Sequence, residues 1–256
     1  MTLAACAGTT ETTDLSVSGP VRVVRVLDGD SLVVDLDGTE AEVRLLGVNT
    51  PERDECYHAD ARDHTIELAG DRVRLAGTDR DRYGRLLRYA YAVDDSLINQ
   101  RLIEDGAAIA LSTEHPLLMQ FKIAERIAFD ARLGRWRSDA CGPASSALIG
   151  IAALEPDAPG DDARNAKGEW VELENRSQEP ADLTGWILRD ESSSHRFEFP
   201  IGTVLAAGDR LRVYSGCGVP GPGSLYWCDG DPVWNNQGDT AYLLDDSGNA
   251  IDRFAF

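Results

Sequence analysis

The chain of 256 residues is long enough for two ordinary domains, each with its own core, and its 43% hydrophobic content excludes a wholly disordered polymer. No apolar run approaches the ~20 residues of a membrane-spanning helix, so any membrane attachment is expected through lipid. With 25 Lys plus Arg against 44 Asp plus Glu, the formal net charge of −19 excludes a protein that holds nucleic acid by a broad basic surface.

The first residues, "MTLAACAGTT", include Leu3-Ala4-Ala5-Cys6, which resembles the end of a lipoprotein signal and would make Cys6 a lipidated residue. The basic and apolar regions of such a signal are missing. Either the true start lies upstream, or this is a polar terminus that contains a cysteine; residues 1–20 read as a tether in both cases.

From Val21 the pattern turns to β. "VRVVRVLDGDSLVVDLDGTEAEVRLLGV" predicts three antiparallel strands joined by turns at Asp28-Gly29-Asp30 and Asp37-Gly38. "HADARDHTIELAG" has helical spacing, with Ala61, Thr65 and Leu68 on one side. "DRVRLAG" and "RLLRYAYAV" read as two more strands around the turn "TDRDRYG". "SLINQRLIEDGAA" predicts a short helix ending at Gly106, and "PLLMQFKIAERIAFDARLG" a long amphipathic one with Pro116 in its first turn and Gly134 just past its end. Five strands with helices after the third and fifth fit a partly open Greek-key barrel of OB type over residues 21–137. Residues 138–146 carry the Pro, Gly and Ser of a linker. Over 147–256 the helical period disappears, and short alternating runs between Gly, Asp, Asn and Pro turns predict an all-β sandwich.

Lysine is confined to Lys122 and Lys167, and the Asp-rich, Lys-poor composition resembles that of proteins from extreme halophiles. There a carboxylate surface keeps a chain hydrated in molar salt; an acidic mesophilic protein is the other reading. Cys56 and Cys141 go with the first domain and Cys217 and Cys228 with the second. Without the CxxC spacing of zinc sites, they predict one disulfide per domain and an oxidising compartment.

One group of residues carries chemistry. Arg44 sits among Val43, Leu45 and Leu46 in an apolar strand, where a buried cation needs an anionic partner or ligand. Asp30 ends a tight turn, Glu52 follows Pro51 near the expected start of a helix, and Arg85 follows Tyr83-Gly84. Each alone has an ordinary explanation: a turn aspartate, a first-turn carboxylate, a solvated hairpin arginine.

In order, "VLDGDSL", "VRLLGVNTPE" and "DRYGRLL" resemble the staphylococcal nuclease (thermonuclease) family, OB-fold enzymes that hydrolyse phosphodiester bonds with calcium. The resemblance runs to "LGRW". It implies Asp30, Asn49 and the Thr50 carbonyl as calcium ligands, Glu52 as the residue that orients or deprotonates water, and Arg44 and Arg85 as a phosphate clamp. It also implies substrate contacts from Arg82 and Tyr83, and a Cys56–Cys141 disulfide as in secreted members. The residue types suit the reaction: guanidinium groups neutralise phosphate bidentately, hard oxygens bind calcium, and a carboxylate activates water.

Two departures stand out. Asn49 occupies a position where a second aspartate is the familiar ligand, and the tyrosines that some members use near the terminal phosphate are absent, with Leu111 and Thr113 nearby instead. His58, His64, His115 and His195 are scattered and read as surface or helix-terminal residues.

"EWVELENRSQEPADLTGWILRDES", "HRFEFPIGTVLAAGDRLRVYSGCG" and "WNNQGDTAYLLDDSGNAIDRF" resemble the lamin-tail domain, an immunoglobulin-like sandwich. Trp170, Trp186, Leu188, Phe199 and Leu243 are then expected in its core, Trp234 in core or rim packing, and Gly185 and Gly208 at turns. Cys217 and Cys228 would staple the exposed connection "CGVPGPGSLYWC". The whole implies a mainly β chain with some α: a monomeric, secreted or surface-anchored calcium-dependent nuclease for DNA or RNA. Its second domain would bind a cell surface or polymer. The alternative is an inactive barrel serving as a nucleic-acid or protein binding module or adhesin, but Arg44, Glu52 and Arg85, whose loss would mark it, are all present.

Overall fold

The computed structural model describes residues 17–157, 168–228, 230 and 232–256; Cys6, and with it the expected lipid anchor, lies outside the described residues. The first domain starts with the predicted meander of β1 (Val21–Val26), β2 (Ser31–Leu36) and β3 (Thr39–Leu45). Asp37 and Gly38 both take positive φ, 54° and 89°, which matches the twist of a two-residue hairpin. β4 (Val48–Asn49) follows, then α1 (His58–Ala69), β5 (Arg72–Ala76), β6 (Leu86–Tyr91), α2 (Ile98–Glu104), β7 (Ile109–Ala110) and α3 (Leu118–Asp130). A 3-10 turn, Gly134–Trp136, ends the domain.

β3 pairs with β6 in parallel, β6 with β5, and β5 with β1 through Val21↔Val73 and Arg22↔Arg72. The last pairing closes the barrel that the strand count alone left partly open. Alternate side chains of every strand point inward, so Leu32, Val34, Val43, Leu45, Val73, Leu75 and Tyr89 fill the interior, and Ala61 of α1 packs with them. α3 is shorter at both ends than its sequence pattern. It starts two residues after Pro116 and stops at Asp130, because Arg132 adopts a left-handed φ of 54°. Gly134 has its own reason to be glycine: a Cβ there would lie 2.4 Å from the Asp105 carbonyl oxygen.

The second domain contains β8 (Ile149–Glu155), β9 (Trp170–Asn175), β10 (Ala181–Asp182), β11 (Ile187–Arg189), β12 (Arg196–Glu198), β13 (Val204–Leu205), β14 (Arg210–Tyr214), β15 (Ser224–Tyr226), β16 (Thr240–Leu244) and β17 (Ala250–Ala255). Two four-stranded sheets, β12-β11-β16-β17 and β15-β14-β9-β8, enclose Val171, Leu173, Trp186, Leu188, Phe199, Trp234 and Leu243, and β10 pairs with β13. Trp170, expected in this core, is on the outer face instead, with the Arg212 guanidinium 4.0 Å above its ring. Period-2 alternation puts Val171 inside, so its neighbour must face out. The connection between Cys217 and Cys228 is less irregular than its Pro and Gly content implied, since β15 within it pairs in parallel with β14. Both expected disulfides, Cys56–Cys141 and Cys217–Cys228, are formed.

The domains share a third apolar cluster. Ile109, Ala128, Phe129 and Trp136 of the first meet Ile187, Tyr242, Leu244 and Ala250 of the second. Trp136 is fully buried and stacks on Tyr242 with ring centres 5.8 Å apart. Around it, the buried Glu125 of α3 accepts hydrogen bonds from the Tyr242 hydroxyl and from Arg253 Nη2, the latter at 3.0 Å.

Candidate active site

The site lies on the β2–β3–β6 wall of the barrel, where strand register brings together residues distant in sequence. Arg44 on β3 is paired with Leu87 of β6. Arg85 precedes Leu87 by two residues, so both arginines face the same side of the wall. Glu42, two residues before Arg44, faces that side as well, and its carboxylate lies 3.8 Å from Arg85 Nη1.

Asp30 is 5% exposed and forms the hub. Its Oδ2 accepts from the Thr50 N–H at 2.9 Å and from the Thr50 hydroxyl at 3.1 Å and forms an ion pair with Arg44 Nη2 at 3.0 Å, while Oδ1 accepts from the Ser31 hydroxyl at 3.1 Å. Burial pushes the Asp30 carboxyl above the usual carboxylate range; Arg44 opposes that and the nearby Asp28 adds to it. The turn under Asp30 has to carry glycine, because a Cβ on Gly29 would lie 2.7 Å from the Thr50 side chain. The same turn is fixed to α1 by Thr65, whose hydroxyl donates to the Gly29 carbonyl at 2.6 Å.

Arg44 explains its place in an apolar strand by its partners. Besides Asp30, it donates from Nη1 to the Leu45 and Val48 carbonyls, at 3.1 and 2.8 Å, and from Nη2 to Asn49 Oδ1 at 3.2 Å. The Asp30 and Asn49 oxygens therefore converge on one guanidinium nitrogen. Arg85 is held from its own turn: Asp81 Oδ2 accepts from its Nε at 2.7 Å and Asp81 Oδ1 from its N–H at 2.9 Å. Burial lowers the Arg85 pKa, but the bond and charge of Asp81, with Glu42 and Asp30, leave it raised. Tyr83 is 70% exposed, with Arg82 and Arg85 guanidinium carbons 4.8 and 5.8 Å from its ring centre.

Glu52 is not in a first helical turn as expected, because α1 begins only at His58. It is exposed on the irregular segment between β4 and α1, and among the described residues its carboxylate has no hydrogen-bond partner. Its N–H donates to Glu55 Oε2 at 3.0 Å, and its carbonyl accepts from the Glu55 N–H at 2.8 Å. Asn49, Thr50 and Asp30 are thus brought together with Arg44, while Glu52 is attached to them by the short span 49–52.

Sequence reasoning missed Glu42 and Asp81, which orient Arg85, and Glu55, which holds the Glu52 main chain. His115, expected at the surface or at a helix end, lies just before α3, where the Leu117 N–H donates to its Nδ1 at 3.2 Å, but it is buried. His115 is 8% exposed, Nδ1 meets the Tyr89 hydroxyl at 2.7 Å, and burial pulls its pKa down to about 4. The Glu52-x-x-Glu55 and Asp81-x-x-x-Arg85 spacings are local signals; the approach of Glu42 to Arg85 and the burial of His115 are tertiary.

Among the described residues no group of three or more His, Cys, Asp or Glu side chains is placed to hold a metal. The oxygens present are one carboxylate, one side-chain amide and a main-chain carbonyl, a hard set that fits an oxygen-seeking divalent cation sharing its shell with water and substrate. The fit rests on the convergence of Asp30 and Asn49 described above.

A family model described as "Staphylococcal nuclease homologue" matches residues 42–138, and one described as "Lamin Tail Domain" matches 143–256. The first begins within β3, so Asp30 is tied to the site by its bonds to Arg44 and Thr50. The "Thermonuclease" of Staphylococcus hyicus is 37% identical over 98 residues, 35% of this chain and 57% of that protein. An "Uncharacterized endonuclease" of Escherichia coli O157:H7 is 40% identical over 88 residues, 34% of this chain and 58% of that protein. The chain thus spans little more than half the length of these two relatives. The "Micrococcal nuclease" of Shigella flexneri is 31% identical over 124 residues, 44% of this chain and 71% of that protein. With the barrel, the Arg44–Asp30–Thr50 hub and these matches together, the chain belongs to the staphylococcal nuclease family and carries a lamin tail domain after its barrel.

Proposed function

We propose that the chain is a metal-dependent nuclease that hydrolyses phosphodiester bonds in DNA or RNA. The observation that supports this reading best is the placing of Arg44 and Arg85 on one barrel face around the buried Asp30, with Glu52 exposed on the segment that follows Asn49. Asp30, Asn49 and the Thr50 carbonyl would hold calcium, which when bound polarises the phosphate and lowers the charge the protein has to offset. Arg44 and Arg85 offer planar donors to the phosphate oxygens and stabilise the charge gained in the transition state. Asp81 holds the Arg85 fork, so less conformational freedom is lost when phosphate arrives. Glu52, whose carboxylate has no hydrogen-bond partner among the described residues, orients or deprotonates the attacking water.

Asn49 supplies an oxygen without a charge, so calcium affinity is expected to be lower than with two carboxylates. The net charge of −19 offers no diffuse attraction, so substrate affinity rests on these short-range contacts. Two disulfides support a location outside the reducing cytosol, with the lamin tail domain available for attachment to a surface or polymer.

The test is cleavage of single-stranded DNA, duplex DNA and RNA in high salt, with calcium or with chelator, by the wild type, Glu52→Gln and Arg85→Ala. Calcium-dependent cutting is expected, reduced roughly 10²–10⁴-fold by each substitution. Cutting that ignores both substitutions, or no cutting by the folded wild type with calcium and other divalent ions, would sink the reading and favour a binding module.

A further inference from the structure

We propose that the lamin tail domain is a positioning element of the nuclease site: its segment 189–196 grips the Glu52-bearing loop at both ends, so turnover depends on the docked second domain. The proposal rests on the nuclease reading above for its consequence, though not for its geometry.

The loop between β4 and α1 has no ladder of its own. At its start, Asn49 uses both halves of its side-chain amide: Oδ1 accepts from Arg44, and Nδ2 donates to the Glu191 carbonyl of the second domain at 3.0 Å. A carboxylate at position 49 has no hydrogen to offer that carbonyl, which gives a reason for asparagine here. Glu191 is itself fixed by the first domain. Its carboxylate accepts from the Ser112 hydroxyl at 2.9 Å, from the Ser112 N–H and from Lys122 Nζ.

At the far end, Glu55 links the loop to two arginines of the second domain. Oε2 accepts from the Glu52 N–H, Arg189 Nη1 lies 3.2 and 3.3 Å from the two carboxylate oxygens, and Arg196 Nη1 pairs with Oε1. The Arg189 side chain is 2% exposed, and its other donors are taken by the Asp190 and Ser192 carbonyls. Burial raises the Glu55 carboxyl pKa, but the charges of Arg189 and Arg196 outweigh it and leave it below the usual range. Next along the chain, Cys56 is bonded to Cys141, and the 245–249 turn packs on that disulfide. There Asn249 Oδ1 accepts from the Cys141 N–H at 2.8 Å, and a Cβ on Gly248 would sit 3.4 Å from Cys56 Cβ.

Glu52 therefore lies between two fixed points, Asn49 and Glu55, each held from the other domain. Restricting such a loop at its Glu55 end favours orientation of water by Glu52 without touching the phosphate clamp. Releasing it lowers kcat and leaves KM nearly unchanged, because Arg44 and Arg85 keep their own supports.

The experiment uses the full-length chain with Arg196→Met, Arg196→Lys and Glu191→Gln, all outside the groups assigned to substrate or metal. Glu55→Gln would strand the buried Arg189 and endanger folding, so the milder Arg196 series carries the test. Single-stranded DNA cleavage in calcium is compared with hydrogen exchange of the 49–55 amides, at a temperature where unfolding curves show every variant folded. For Arg196→Met we expect kcat to fall about 10-fold or more with KM within about 3-fold, faster exchange confined to the loop, and partial recovery in Arg196→Lys. A variant with lower unfolding midpoint but unaltered kcat and loop exchange would mean that the contact only joins the domains, and the proposal fails while the nuclease reading stands. If the wild type cuts nothing, the nuclease reading fails and the exchange arm decides alone: loop protection unchanged in Arg196→Met overturns the positioning role, and selective loss of protection upholds it.

Discussion

Replacing Arg253 by methionine tests whether the two domains unfold as one unit. Glu125 of the first domain is 0% exposed, and Arg253 Nη2 of the second stands 3.0 Å from its Oε2. At an effective dielectric of about 20, opposite charges that close attract by roughly 5–6 kcal/mol. Deleting one partner of a buried pair usually costs about 3–5 kcal/mol, since the other charge is stranded. The stranded carboxyl has an escape by taking up a proton. Burial already raises the Glu125 pKa, with Arg253 and Lys122 opposing, and loss of Arg253 raises it further.

A raised carboxyl pKa means that the folded state keeps a proton the unfolded state releases. Stability then falls as pH rises from the unfolded value of about 4.3 through the folded value. The cost of Arg253→Met is therefore expected to approach about 3–5 kcal/mol at pH 8 and to be clearly smaller at pH 5. Adding Glu125→Gln should recover most of it at pH 8. Urea unfolding provides the assay, with tryptophan fluorescence reporting on Trp136 in the first domain and Trp186 and Trp234 in the second. A loss below about 1 kcal/mol at both pH values, equal losses at both, or separate transitions for the two domains in the wild type would refute the reasoning.

Two further outcomes are expected. Asp239 is 6% exposed, and burial, aided by the charges of Glu191 and Asp190, raises its pKa to about 7. Its folded pKa lies above the unfolded one, so stability should fall between about pH 4 and 7 by roughly 4 kcal/mol at most, and Asp239→Asn should flatten that slope in thermal unfolding at constant ionic strength. A variant with the wild-type slope would show that Asp239 is ionised throughout. The Cys56–Cys141 bond closes a span of 85 residues, so Cys56→Ser with Cys141→Ser should cost about 4 kcal/mol in urea unfolding. A cost below about 1 kcal/mol would mean that the unfolded chain keeps residual structure that already restrains this span.

Much of the architecture is legible in local patterns. Strand alternation from Val21 to Val48, the Asp37-Gly38 hairpin and the helical spacing after His58 each involve neighbours in sequence, and each appears as read. Errors cluster where a local pattern meets a partner elsewhere. α3 keeps its amphipathic stripe but loses its expected ends, because the chain leaves the helix at Arg132 to bring Gly134 against Asp105 and Gly106. Trp170 is hydrophobic enough for a core, yet its register sets it outside under Arg212. His115 has no apolar periodicity to betray it, and its burial follows from Tyr89 and the barrel behind it.

The sequence by itself determined the two domain types and the chemical kinds at the site: a turn aspartate, an arginine in an apolar strand, a carboxylate beyond a proline and an arginine after a Tyr-Gly turn. These sit in short contiguous motifs whose local geometry and residue types are readable together. Only the tertiary structure decided that the barrel closes through β1 and β5, that Arg44 and Arg85 share one face, and that Glu55 pairs with Arg189 across 134 residues. The physical reason is that a carboxylate can pair with any arginine that folding brings near. Which one it meets is settled by strand register and domain docking, and neither is written in the residues flanking it.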